Sequence, residues 1–146
     1  MPQFDSPSAF GKILDKKKGG HFKIICDKSY TINQSYYNNT CILITSFKNN
    51  ENEFDLIDFM PRYEIENSSF YSSPEIIRLL RVKKGKPKIR IDYKPSLEYA
   101  IGETINYSKK NFIVSIFEDS STYETLYLYS NINKENILNS NEFVLE

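Results

Sequence analysis

The sequence predicts an all-β fold: an antiparallel β-sandwich of about ten short strands, with one short helical turn near the N-terminus. Three observations carry this. Alanine, the best helix former, occurs only twice, while Ile occurs 18 times, Tyr 11 and Phe 10; β-branched and aromatic side chains suit a pleated surface better than a helix. Apolar residues recur at a period of two rather than 3.6 in several windows. Polar turn sequences interrupt the apolar runs at short intervals. The length of 146 residues is that of one domain, so residues 1–146 are expected to form a single β-sandwich.

The elements follow in order. Ser8 is placed to cap a helical turn over Ala9–Leu14, which Lys16–Lys17–Lys18 and Gly19–Gly20 then close. Phe22, Ile24 and Cys26 alternate as a strand, and Tyr30, Ile32, Gln34 and Tyr36 mark a second. Asn38–Asn39 makes a turn, because asparagine tolerates positive φ. Cys41–Phe47 reads as a strand buried on both faces at its start, and Phe54–Met60 as its hairpin partner across the polar Lys48–Glu53. Pro61 ends that strand. Glu64–Ser73 is serine-rich and reads as a loop, with a strand from Pro74 to Val82 and a turn around Gly85. Ile89, Ile91 and Tyr93 alternate with Lys88, Arg90 and Asp92 as a half-buried strand. Weaker strand signals cover Tyr99–Tyr107. Asn111–Phe117 and Thr122–Tyr129 form a hairpin around Asp119–Ser120–Ser121, and Phe143–Leu145 starts a last strand.

Composition excludes several functions. Nineteen cations balance nineteen anions, whereas a dedicated nucleic-acid binder carries a basic excess. No apolar run approaches the roughly 20 residues of a membrane span, and Met1–Phe10 lacks the basic and apolar regions of a signal peptide. Two cysteines are too few for a disulfide framework, so Cys26 and Cys41 read as buried small hydrophobes in a cytoplasmic protein.

Catalytic chemistry finds little footing. His21 is the only histidine and no nucleophile motif accompanies it, so it reads as structural or solvated. No metal site is expected, since His21, Cys26 and Cys41 lack the close-spaced pairs of zinc ligands, and no glycine-rich phosphate loop implies a cofactor. Glycoside hydrolysis needs two converging carboxylates. Asp55 and Asp58 are three apart in a strand and point to opposite faces, while Glu64 with Glu66 and Glu118 with Asp119 lie in polar stretches; all read as solvated charge. The strongest local anomaly is basic. Arg78, Arg81, Lys83, Lys84, Lys86, Lys88, Arg90 and Lys94 share one stretch with a single anion, Asp92. It is matched by the acidic Glu51–Glu66, so the two stretches are placed to attract each other; the other reading is an interaction surface for a phosphate backbone. Among the tyrosines, Tyr36, Tyr37, Tyr71, Tyr127 and Tyr129 are the candidates to stack on a sugar, if they are exposed rather than core.

The opening Pro2–Gln3–Phe4–Asp5–Ser6–Pro7 resembles a proline–arginine–phenylalanine–aspartate–serine–proline segment of the trehalase-like N-terminal domain of prokaryotic glycoside hydrolase family 15 proteins, the glucoamylases, glucodextranases and trehalases. Leu14–Asp15, Gly19–Gly20–His21–Phe22, Thr40 with Leu43, Asp58–Phe59–Met60–Pro61, and Arg90, Pro95 and Tyr99 resemble further family motifs in the same order. Gln3 replaces the usual arginine, and Ala100 stands after Tyr99 where the family commonly has glycine. The resemblance implies part of an antiparallel supersandwich that supports a catalytic (α/α)6 barrel. It also implies a chain incomplete at both ends relative to the family, without the barrel's acid and base glutamates, and so no enzyme by itself. The implied partners are such a barrel, with Phe4, Asp5 and Phe10 as interface candidates, or a second copy pairing along open strand edges; an α-glucan or trehalose is the implied ligand. The alternatives are a free-standing carbohydrate-binding sandwich and an interaction protein using Arg78–Lys94.

Overall fold

The structure is a computed structural model and describes residues 6–66, 69–118 and 125–146. It is all-β, with twelve strands among the described residues: β1 His21–Ile25, β2 Thr31–Tyr36, β3 Leu43–Lys48, β4 Glu53–Phe59, β5 Arg62–Ile65, β6 Ser69–Ser72, β7 Ile77–Lys84, β8 Lys88–Lys94, β9 Thr104–Ser108, β10 Phe112–Phe117, β11 Thr125–Tyr129 and β12 Glu142–Val144. One short helix, α1, spans Lys134–Leu138. The chain divides into two compact units, one built mainly on residues 27–88 and the other on residues 3–26 with 89–143.

The first unit holds a four-stranded sheet in the order β2-β3-β4-β7 and the hairpin β5-β6. The β3–β4 hairpin pairs Leu43 with Asp58 through Lys48 with Glu53, as the alternation predicts. Phe47 and Phe54 face each other in that ladder and stack with their ring centres 4.6 Å apart, the kind of cross-strand aromatic pair that holds a sheet in register. Gly85 (φ 74) makes the expected turn after β7, and Asn39 (φ 56) the one before β3.

Three expectations are corrected in this unit. Glu64–Ser73 is not a loop: residues on either side of its centre form β5 and β6, with Tyr63 opposite Tyr71. All eight of these strand residues are exposed, so the short Tyr63–Ile65 alternation faces no core. Cross-strand contacts hold the hairpin instead, among them the Arg62 guanidinium 4.0 Å over the Phe70 ring. The start of β3 is not buried on both faces, since burial there is confined to Thr45 and Phe47. Cys41 is exposed in the turn before that strand, because Tyr37–Thr40 forms a tight polar turn in which the Thr40 hydroxyl and N–H both donate to the Tyr37 carbonyl.

The second unit contains two three-stranded sheets, β1-β8-β12 and β11-β10-β9. They enclose a core of Ile91 and Tyr93 from β8, Ile113 from β10 and Ile137 from α1, with Phe22, Ile24, Leu126 and Leu128 packed against it. Burying Ile113 and Ile137 contributes about 2–3 kcal/mol each. Tyr93 satisfies its hydroxyl against Ser115 at 3.0 Å, and Ser115 donates to Asn106 at 2.5 Å, so the polar groups in this core are partnered. Asn133 caps α1 by accepting from the Glu135 N–H at 2.9 Å.

The helical turn expected over Ala9–Leu14 is a shorter, shifted one. Asp15 N–H bonds Gly11 O at 3.0 Å, and Gly19 N–H then bonds Asp15 O at 2.9 Å. Ser8 is not the cap: the Asp15 carboxylate accepts from Lys17 and Lys18 N–H at 2.8 and 3.0 Å. A short acidic side chain that accepts from the N–H groups two and three residues on caps the start of a turn, here Asp15–Gly19. Glu98, Tyr99 and Ala100 form a left-handed turn with φ of 48, 52 and 61°, a region that disfavours residues with a Cβ. Ala100→Gly is therefore expected to raise stability by about 0.5–1 kcal/mol in chemical denaturation; a loss of stability would refute this account of the turn.

Candidate functional site

The chemistry-bearing residues gather at one corner of the second unit. Gly20 turns the chain with φ 64 just before β1, and its carbonyl accepts from Lys12 N–H at 3.1 Å. The register of β1 against β8 places His21 opposite Lys94 and Lys23 opposite Asp92. His21 Nε2 donates to Asp92 Oδ2 at 2.6 Å, and Lys12 Nζ lies 3.3 Å from His21 Nδ1. With the Asp92 carboxylate as acceptor, His21 Nε2 carries a proton. Lys94 Nζ stands 3.5 Å from Asp92 Oδ1 and supplies charge without a hydrogen bond to that buried oxygen. Lys12, Lys16, Lys17, Lys18 and Lys94 line a recess of about 160 Å³ beside His21.

Burial pushes the Asp92 carboxyl up, but the His21 hydrogen bond and the charges of His21 and Lys94 outweigh it, and the net shift is downward. A carboxylate lowered in the folded state stabilises the fold above its unfolded value and loses that contribution as pH falls through the lower folded value. Thermal stability is thus expected to drop as pH falls below the ordinary value of 3.8, and Asp92→Asn should remove that part of the drop. An identical acid limb in the variant would show that Asp92 plays no part. Lys12 is shifted down, by desolvation first and then by Lys23. The second ring nitrogen of His21 faces an ammonium, not a hydroxyl or thiol. The His21–Asp92 pair ties β1 to β8.

The acidic and basic stretches meet in the first unit. Arg78 grips Asp58 through two bonds, 2.8 and 3.0 Å, and Lys83 lies 2.8 Å from Asp55 and 3.6 Å from Glu53. The attraction inferred from charge runs is real and is carried by β4 and β7. One expectation is corrected: Asp55 is not solvated but 4% exposed, because its strand is central and Ser46 and Lys83 satisfy it. Glu64, Glu66 and Glu118 are exposed; Asp119 lies outside the described residues. Cys26 is half-buried and Cys41 is exposed.

All five candidate tyrosines are more than half exposed. Tyr36, on β2, and Tyr37, in the turn after it, belong to the first unit, as does Tyr71 on β6. Tyr127 and Tyr129 alone converge, both on β11 and both against Phe112, at ring-centre distances of 5.5 and 5.2 Å. Phe112 went unnoticed in the sequence, although the spacing of the last hairpin places it opposite Tyr129. Asp92 was missed for a plainer reason: its partner lies 71 residues away. Of the interface candidates, Phe10 is 39% exposed and rests on Phe22 and Tyr93, each 6.1 Å away; Phe4 and Asp5 lie outside the described residues. No helix among the described residues is long and apolar enough to cross a membrane.

Antiparallel sheets tied by carboxylate–cation pairs define an all-β module. The chain belongs to the trehalase-like N-terminal family, which matches residues 1–126. It is 40% identical over 103 residues to the Trehalase of Thermoplasma acidophilum, covering 68% of this chain and 17% of that protein. It is 34% identical over 131 residues to Trehalase 2 of Sulfolobus acidocaldarius, covering 90% and 20%. The chain thus spans at most a fifth of these relatives' length. No solved structure matches it.

Proposed function

We propose that the chain is a non-catalytic accessory sandwich of a trehalase-like α-glucoside hydrolase of glycoside hydrolase family 15, working in the cytoplasm beside an (α/α)6 barrel. The observation that carries this reading is the family match over residues 1–126. The ion pairs support it. Hydrolysis of a glycosidic bond needs one carboxyl kept protonated and a second one across the bond from it. Asp55 and Asp58 are instead held beside Lys83 and Arg78, and Asp92 is shifted down rather than up. The test adds purified chain to trehalose, maltose and starch, and separately to a Trehalase 2 variant lacking the segment it matches. The expected results are no glucose release by the chain alone and a higher thermal midpoint for the shortened enzyme in its presence. Turnover by the chain that survives repurification, or an unchanged midpoint, would overturn the reading.

A further inference from the structure

We propose that the outer face of the β9–β10–β11 sheet binds a neutral oligosaccharide, with Tyr127 and Tyr129 as stacking rings and Phe112 as their support. The inference goes beyond the accessory role and does not depend on it. Leu126 and Leu128 point into the core, so the alternation of β11 sends Tyr127 and Tyr129 outward. They stand 52% and 67% exposed. Register adds Phe112 beside Tyr129, and Val114 with Tyr107 beside Tyr127. The two tyrosine rows are about 7 Å apart along the strand.

Two features point to a sugar. First, none of the three strands carries a charged residue: their sequences are TINYS, FIVSIF and TLYLY. A solvated sheet face is ordinarily polar, and a surface for nucleic acid or an acidic peptide would need cations on it. An aromatic face edged with phenol hydroxyls, on strands without charge and with a cation, Lys109, at its β9 edge, matches a ligand that is uncharged, has a flat C–H face and is rimmed by hydroxyls, as a pyranose is. Second, the rings are held before any ligand arrives. Phe112 meets Tyr127 edge-on at 76° and Tyr129 at 50°, and the Lys109 ammonium lies 5.6 Å over the Tyr107 ring. Rings already fixed lose little freedom on binding.

The chain has no tryptophan, so tyrosine emission reports directly. Trehalose, maltose and maltotriose are titrated against the full chain, following tyrosine fluorescence and amide NMR shifts. Saturable binding in the millimolar range is expected, with shifts centred on the strands Thr104–Ser108, Phe112–Phe117 and Thr125–Tyr129. Tyr129→Ala should weaken binding about tenfold, and Tyr127→Ala with Tyr129→Ala should abolish it. Tyr36→Ala, at the same 67% exposure in the other unit, should change nothing. All replaced side chains are surface rings, and an unchanged amide spectrum elsewhere confirms each variant's fold. No saturable shift with any of the sugars would overturn the proposal, as would an equal loss in Tyr36→Ala. So would platform variants that change only self-association in sedimentation, which would make the face a contact between copies.

Discussion

Replacing Gly20 by alanine is expected to destabilise the chain by about 3 kcal/mol or more, a large fraction of the stability of an ordinary domain. Two effects add. Gly20 sits at φ 64, where a residue with a Cβ loses roughly 1–2 kcal/mol. That Cβ would also lie 2.5 Å from both Ala9 O and Ser96 N. Those two atoms are bonded to each other at 2.9 Å, so the clash cannot be relieved by a side-chain rotation. The backbone must move, and the bond that ties the N-terminal segment to the end of β8 must stretch. Because Gly20 immediately precedes His21, the His21–Asp92 bond should loosen with it. Urea denaturation of wild type and Gly20→Ala measures the first effect, and the pH limb assigned to Asp92 measures the second. A loss under about 1 kcal/mol would mean that the corner relaxes at little cost.

Gly20 also shows what was legible in the sequence. A glycine pair after a lysine run marks a chain reversal wherever it occurs, and positive φ followed. Strands whose faces differ in polarity were equally readable: β3, β4, β8 and β10 bury alternate or consecutive residues, and their limits fall within two residues of those expected. The β5–β6 hairpin was not readable, because its strands are four residues each and every one of those residues is exposed. Helix α1 was missed because five residues cannot display a helical period. Cys41 misled for the opposite reason: three apolar residues follow it, yet it belongs to the turn.

The candidate sites divide along the same line. A charge run can be counted, so the match of the acidic and basic stretches was visible. Which partners meet was not, because pairing depends on register, and the β4–β7 ladder shifts register between Glu53 and Phe54. The sequence named five tyrosines but could not tell which would share a face with one another. Among the five, only Tyr127 and Tyr129, at two of the three outward positions of β11 and with Phe112 opposite Tyr129, come together.

The buried carboxylate beside that register shift, Asp55 with its partner Lys83, leads to the second large effect. Lys83→Met is expected to cost about 3 kcal/mol, because it leaves the Asp55 carboxylate inside with Ser46 as its remaining close donor. Asp55→Leu alone should cost less. The Lys83 side chain is 41% exposed and keeps Glu53 at 3.6 Å, so its ammonium can turn to water when the carboxylate is gone. The double variant Asp55→Leu with Lys83→Met should recover much of the loss, since an apolar pair of similar volume avoids desolvating two charges. Alkaline pH gives an independent check. The Asp55 hydrogen bond raises the Lys83 pKa above its ordinary 10.5, partly opposed by desolvation and reinforced by the charges of Asp55 and Glu53. A cation raised in the folded state stabilises fully below its unfolded value and loses that contribution as pH rises through the higher folded one. Wild type should therefore lose stability above pH 10.5 through this pair, and Lys83→Met should not. Denaturation of the four species gives the coupling energy directly. A double variant no more stable than Lys83→Met alone would show that the carboxylate's burial is not what makes the single change costly.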